Sequence, residues 1–388
     1  MFELFDEGQA VPVRTWADRI DPLSQQALLR LARWGRFGGP IAVLPDVHSA
    51  GDVCVGTVLA TEDCVLPAAV GEDLGCGMQS RGLELDATSF SREELERLFA
   101  RILTDIPVGH RVHRKAQELP TTLRDRELST RTLEHSKGWL AARHLGTLGG
   151  GNHFIELQRD TAGRLWLTVH SGSRGIGAAI ASHHAKAAIA HAGPHPRLGV
   201  LALNSEAARA FWNDLSWALD FAAENRNAMA ARVIAHLGAE IGRSIEEFDR
   251  FDLAHNVIRR EVQADGRVLV LHRKGAMPAA RGQRGIIPGS MGTASYVVEG
   301  LGNPLAYNSC SHGAGRALSR SEARKCITLA ELERQMRHVV FPKPRGRPDP
   351  ALVEESPRAY KDIKSVLAQQ EDLVKPLLRL EPIAVIKG

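Results

Sequence analysis

Short apolar runs punctuate the chain, and each leads into a turn former or a histidine. Ile41-Ala42-Val43-Leu44 precedes Pro45-Asp46, Leu165-Trp166-Leu167-Thr168-Val169 precedes His170, and Val268-Leu269-Val270-Leu271 precedes His272. Brief runs of bulky or β-branched residues bounded in this way predict buried strands. Helical spacing alternates with them. Residues 91–106 open on Ser91 with Glu94 three positions on, the signature of a capping box ahead of a periodic apolar stripe. Residues 205–242, rich in alanine, arginine and glutamate, predict two consecutive helices. Trp212, Trp217 and Phe221 share a face there, which points to core packing rather than ligand stacking. Residues 341–348, with three prolines, read as an irregular loop before a C-terminal piece. No boundary separates these elements, so the expectation is one α+β (mixed α/β) domain spanning residues 1–388, with its polar residues on loops at strand ends.

Composition narrows the class. A chain of 388 residues with 44% hydrophobic and 24% charged residues has ample core and excludes disorder. No segment approaches the ~18 apolar residues of a membrane helix, so no membrane partner is expected. The first seven residues lack the basic start and apolar core of an export signal. Five cysteines, odd in number and without a CxxC pair, argue against a disulfide scaffold and for a reducing, cytoplasmic setting. The net charge of +4 is compatible with a polyanionic partner without requiring one. More telling are 36 glycines and 16 histidines. The glycines gather in knots at 71–77, 146–151, 172–177, 282–292 and 300–315, directly after or between the apolar runs.

Several common chemistries are absent. There is no Gly-Lys dipeptide for a phosphate-binding P-loop, no HExxH, no GxSxG and no KxDG lysine. What remains sits in the knots. Asp73 and Cys76, three residues apart with glycines on both sides of the cysteine, can converge on one cation in a tight turn. A thiolate in that set favours a borderline-soft transition metal over magnesium. Asn152, His153 and Glu156 follow a triple glycine able to approach a phosphate, His170 ends an apolar run, and His255 lies beside Asn256. Small residues flank His312 on both sides, leaving its imidazole open, and Arg316 follows four positions later for phosphate oxygens. An accessible histidine of this kind is a candidate nucleophile.

These stretches, DLGCGM, LGTLGGGNHFIE, HSGSRGIG, HRKGA, PGSMGTASY and SHGAGR, occur in this order along the chain. Together they resemble the RtcB-type RNA ligases, and the resemblance runs from Leu44 to Gly388. It implies a GTP-dependent enzyme with two manganese ions, joining RNA 3′-phosphate or 2′,3′-cyclic phosphate ends to 5′-hydroxyl ends in RNA repair or tRNA splicing. By the same resemblance, Asp73, Cys76 and His153 would hold one ion, and Cys76 would bridge to a second held with His170 and His255. His312 would carry GMP. The nucleotide would meet Asn152, His153, Phe154, Ile155, Glu156, His255, Asn256, Pro288, Gly289, Ser290, Met291, Ser295, His312, Gly313, Ala314, Gly315 and Lys387, with Tyr360 against the base. The implied partners are RNAs with broken ends (transfer or ribosomal RNA), and an activating protein is a further candidate. RNA phosphates would meet basic segments such as Arg111-Val112-His113-Arg114-Lys115. One loop departs from the family pattern: Ala50 and Asp52 stand where glycines are usual after Asp46-Val47-His48. Two other readings are a relative that binds RNA ends without ligating and a metal-dependent hydrolase of cyclic phosphates.

Overall fold

The computed structural model describes residues 1–4, 7–190, 198–342 and 349–388. The irregular stretch expected at 341–348 thus lies, from 343 on, outside the described residues. The fold is mixed α+β, built on two large sheets. The six-stranded sheet runs, in spatial order, Phe2–Leu4, Val13–Thr15, Ile41–His48, Val55–Thr61, Val268–Lys274 and Asn256–Val262. The seven-stranded sheet runs Glu247–Ala254, Gly77–Asp86, Arg164–Ser171, Phe154–Arg159, Val374–Lys387, Ser295–Gly300 and Arg284–Ile287. Every pairing in the seven-stranded sheet is antiparallel. All three apolar runs are therefore strands, extended at their C-terminal ends to include Asp46, His170 and His272.

The helix Arg92–Asp105 is capped by Ser91 with the full reciprocal box to Glu94. Residues 205–242 form one helix rather than two, Glu206–Ile241, 36 residues long and capped by Ser205 and by Gly242 in the left-handed region. The segment contains no proline and only one interior glycine, Gly238, so no residue type stops it. Its N-terminal half buries Phe211, Trp217 and Phe221, the last two stacked at 5.3 Å. Trp212 is only partly buried, with the Arg260 guanidinium 5.5 Å from its ring. The C-terminal half packs Met229, Val233 and Leu237 against Ile155, Leu157, Leu167 and Val169 of the seven-stranded sheet.

The helix thereby covers one face of that sheet. Strand alternation sends the neighbouring side chains Phe154 and Glu156 to the opposite face, where a cleft opens. All five cysteines are free thiols. Among the described residues, no helix is long and apolar enough to cross a membrane.

Candidate active site and metal centre

The glycine knots converge where the two sheets meet. Cys76 ends the turn 71–76, His153 precedes the strand Phe154–Arg159, His170 is the penultimate residue of Arg164–Ser171, and His255 lies between two strands. All four are at most 3% exposed. Cys76 Sγ lies 3.4 Å from His153 Nε2 and 3.2 Å from His170 Nε2. His170 Nε2 is 3.3 Å from His255 Nε2, and His153 Nε2 is 2.9 Å from Asp73 Oδ2. Two ligand sets result, Asp73-Cys76-His153 and Cys76-His170-His255, with Cys76 common to both.

The chemistry of these donors fits a cation. His153 Nδ1 faces the Leu148 carbonyl at 2.9 Å and His170 Nδ1 faces that of Asn152 at 3.1 Å. A carbonyl only accepts, so each Nδ1 carries a hydrogen and each ring presents Nε2 to the cluster. Burial, with neighbouring histidines adding to it, pushes His170 and His255 well below the ordinary histidine range. Burial also pushes the Cys76 thiol well up, and the Asp73 carboxylate reinforces it. Imidazole nitrogens, a carboxylate and a sulfur crowded within these distances are a donor set that a positive ion would hold together. Sulfur and imidazole select a borderline-soft metal.

Several backbone positions exist to permit this approach. A Cβ on Gly172 would lie 2.1 Å from Asp73 Oδ1. Arg174, two residues on, has φ 58°, an uncommon left-handed setting for a non-glycine residue. Behind the ligands, consecutive residues of the long helix clamp their loops. The Arg226 guanidinium donates to the carbonyls of Gly75 and Ser171 at 2.8 and 2.9 Å and pairs with Asp252 at 2.6 Å. Asn225 accepts from the amides of Gly146 and Thr147 and donates to the Gly172 carbonyl.

His312 stands beside the ligand cluster, its ring centroid 4.5 Å from that of His255. Asp46, fully buried, accepts the His312 backbone N–H at 3.1 Å and the ring Nδ1–H at 2.6 Å on the same oxygen, Oδ2. Nε2 has no hydrogen-bond partner among the described residues. Gly315, φ 72°, lets this loop close on the strand, since a Cβ there would sit 2.4 Å from the Asp46 carbonyl oxygen.

The cleft in front of His312 measures about 1420 Å³, above the ~300–1,000 Å³ of ordinary small-molecule sites. Asn152, Phe154, Glu156, His170, Pro288, Gly289, Ser290, Met291, Gly313, Ala314, Gly315, Tyr360 and Lys387 line it with His312. Five other candidates lie off its surface. His153 and His255 belong to the ligand cluster behind. Ile155, 0% exposed, faces the helix side of the sheet. Ser295 is buried and accepts from Gln158 Nε2 at 3.0 Å. Asn256 braces the ligand turn, donating to the Asp73 carbonyl and accepting the Gly275 amide. Burial raises Glu156 to about 8, while Gln158 and Lys387 pull it down. Buried Glu355 gathers Lys387 at 2.8 Å, Tyr360 Oη–H at 2.6 Å and Arg320 at 3.0 Å. Beyond the cleft's edge, Lys274 Nζ donates to the carbonyls of Ala50 and Val53, so the loop holding Ala50 and Asp52 is stapled and turns at Gly51, φ 79°.

Asp46, Arg174, Asn225, Arg226 and Glu355 were not singled out as site residues by sequence reasoning. Only Asp46, at the end of an apolar run, carried a local signal.

Fold and site together define a mixed α+β protein that gathers thiol, imidazole and carboxylate groups able to hold a metal ion beside a cleft lined by an oriented histidine. Comparison with known proteins makes this specific. A family model described as "tRNA-splicing ligase RtcB" matches residues 28–143 and 127–388, and the chain belongs to that family. The RNA-splicing ligase RtcB of Escherichia coli K12 is 35% identical over 416 aligned residues covering all of both chains. RNA-splicing ligase RtcB1 of Escherichia coli ATCC 25922 is 34% identical over the same span. The tRNA-splicing ligase RtcB of Methanococcus maripaludis is 27% identical over 89% of this chain and 87% of its own.

Proposed function

We propose that this chain is a GTP- and manganese-dependent RNA ligase that joins 3′-phosphate or 2′,3′-cyclic phosphate ends to 5′-hydroxyl ends through GMP carried on His312. The observation that carries this reading is the single oxygen of Asp46 that holds both the backbone N–H and the Nδ1–H of His312. That grip leaves Nε2 as the nucleophile, facing a cleft large enough for more than one nucleotide. His312 Nε2 attacks the α-phosphorus of GTP, a P–N bond forms, and pyrophosphate departs with the electron pair. A cyclic end is first opened by water to the 3′-phosphate; a 3′-phosphate oxygen then takes GMP as the P–N bond breaks and Nε2 recovers its electron pair, and the 5′-hydroxyl finally displaces GMP. Asp73, Cys76 and His153 would hold one manganese ion and Cys76, His170 and His255 a second, and such ions would neutralise phosphate charge.

The remaining residues bind and orient. Asn152, Phe154, Glu156, Pro288 to Met291, Gly313 to Gly315, Tyr360 and Lys387 enclose the guanine nucleotide. Lys387 and Tyr360 are fixed by Glu355. Arg111, Arg114 and Lys115 are exposed on a loop tied to the glycine knot by the Gly109 N–H bond to the Gly149 carbonyl, and they meet the RNA backbone. Residues from 46 to 387 meet in one site, so residues 1–388 act as a single unit in this reading, in a reducing cytoplasm. Mixing RNA bearing a 3′-phosphate and RNA bearing a 5′-hydroxyl with GTP and manganese tests it. Joining is expected there and not for 3′-hydroxyl with 5′-phosphate ends. Sealing of the latter pair instead would place the chain in another ligase class.

A further inference from the structure

The Asp46-Val47-His48 stretch contributes one residue that the steps above leave unused. His48 ends the strand Ile41–His48, two positions from Asp46, and it lines the cleft that His312 faces. Its Nδ1 lies 2.9 Å from the Asp46 carbonyl oxygen, so Nδ1 carries the hydrogen and the ring is anchored. Lys361 Nζ fixes the main chain on either side, donating to the carbonyls of Pro45 and Val47 at 2.8 Å each. Nε2 has no partner among the described residues and keeps its lone pair.

What such an atom can bind is restricted. Neutral, with its only hydrogen already donated, His48 offers an acceptor and no donor. A phosphate oxygen finds nothing there, whereas a hydroxyl does. Phosphate donors are present elsewhere on the cleft walls, at Arg19, Arg316, Arg320 and Arg324. The wall also matters. Phe154, Glu156 and Lys387 come from the seven-stranded sheet, and His48 comes from the six-stranded sheet. His48 shares its strand with Asp46, which holds His312, so a hydroxyl at His48 would approach the GMP-bearing histidine from the six-stranded sheet.

We infer that His48 is the base that takes the proton of the RNA 5′-hydroxyl in the joining step. This rests on the ligase reading above. As the O5′–P bond forms, the P–O bond to GMP breaks, GMP leaves with the electron pair, and the hydroxyl proton moves to His48 Nε2 and then to water. Burial lowers His48 to about 4, against the pull of Asp46 and helped by the facing His312 and Lys361, so the free protein holds it neutral. Arriving RNA phosphates raise its basicity toward the working pH.

The test separates the steps. His48→Asn keeps an amide N–H for the Asp46 carbonyl and removes the base, and His48→Gln serves as a second variant if the first melts early. With GTP, manganese and the RNA pair, either variant is expected to label His312 with GMP and to accumulate RNA with a guanylylated 3′ end. Joining is expected to slow by about 10²–10⁴-fold, the usual cost of losing a general base. The wild-type joining rate should rise with pH through one ionisation that the variants lack. Joining by both variants at wild-type rates would overturn the inference. So would a parallel loss of His312 labelling, which would put His48 in the nucleotide step. Failure of the wild type to label His312 would instead sink the ligase reading itself.

Discussion

Replacing Asp46 by asparagine and by alanine divides its two contributions to His312. The carboxylate receives the His312 backbone N–H at 3.1 Å and Nδ1–H at 2.6 Å on Oδ2, while Oδ1 is buried without a hydrogen-bond partner among the described residues. An asparagine can place its carbonyl oxygen where Oδ2 stood and keep both bonds, but without charge. Hydrogen bonds to charged groups contribute ~1.5–3 kcal/mol against ~0.5–1.5 for neutral ones. As Nε2 bonds to phosphorus the ring becomes cationic, so Asp46→Asn forgoes about 1–2 kcal/mol of stabilisation, roughly 5–30-fold in the rate of GMP transfer. Alanine removes both bonds and frees the ring to rotate, and the expected loss is about 10²–10⁴-fold. The assay is single-turnover labelling of the protein with α-phosphate-labelled GTP, alongside manganese content and thermal melting. Alanine and asparagine variants labelling at equal rates, or alanine within about threefold of wild type, would refute the view that Asp46 orients and charges the nucleophile.

Cys76→Ser should lose manganese and GMP labelling together, because Cys76 belongs to both ligand sets; wild-type metal content in that variant, measured by elemental analysis, would make the thiol merely structural. Arg226→Met leaves Asp252 and two ligand-loop carbonyls without their cation, so stability should drop by about 3–5 kcal/mol and manganese occupancy should fall, which melting and metal analysis read separately. Glu156, raised to about 8 in the fold against an ordinary 4.5, stays protonated in the native state while the unfolded chain ionises. Stability should accordingly fall as pH rises from about 4.5 to about 8, and Glu156→Gln should flatten that part of the profile in denaturant titrations. An unchanged slope would mean that Glu156 is already ionised.

Much of the local structure was readable from the chain, because its signals are local. The strands that carry Asp46, His170 and His272 near their C-terminal ends are short apolar runs, and the capped helix Arg92–Asp105 announces itself through Ser91 and Glu94. The long helix was misdivided because composition alone sets no stop between Glu206 and Ile241, and packing against two core clusters carries it through. The ligands Cys76, His153, His170 and His255 were visible as chemistry in glycine-rich surroundings. Their convergence was not, since it depends on contacts such as Arg226 with Gly75, 151 positions apart. Ile155 shows the same limit in miniature. It stands between two cleft residues in a motif, yet strand alternation turns it into the core.

The most direct test of the whole account is where the nucleotide goes. Protein loaded with manganese and given GTP labelled at the α-phosphate should retain one label, labile to acid and stable to alkali as a phosphorus–nitrogen bond requires, and mapped to His312. His312→Ala should retain none while keeping its manganese. Undiminished labelling in that variant, or a wild-type protein that holds manganese and GTP and never becomes labelled, would contradict it.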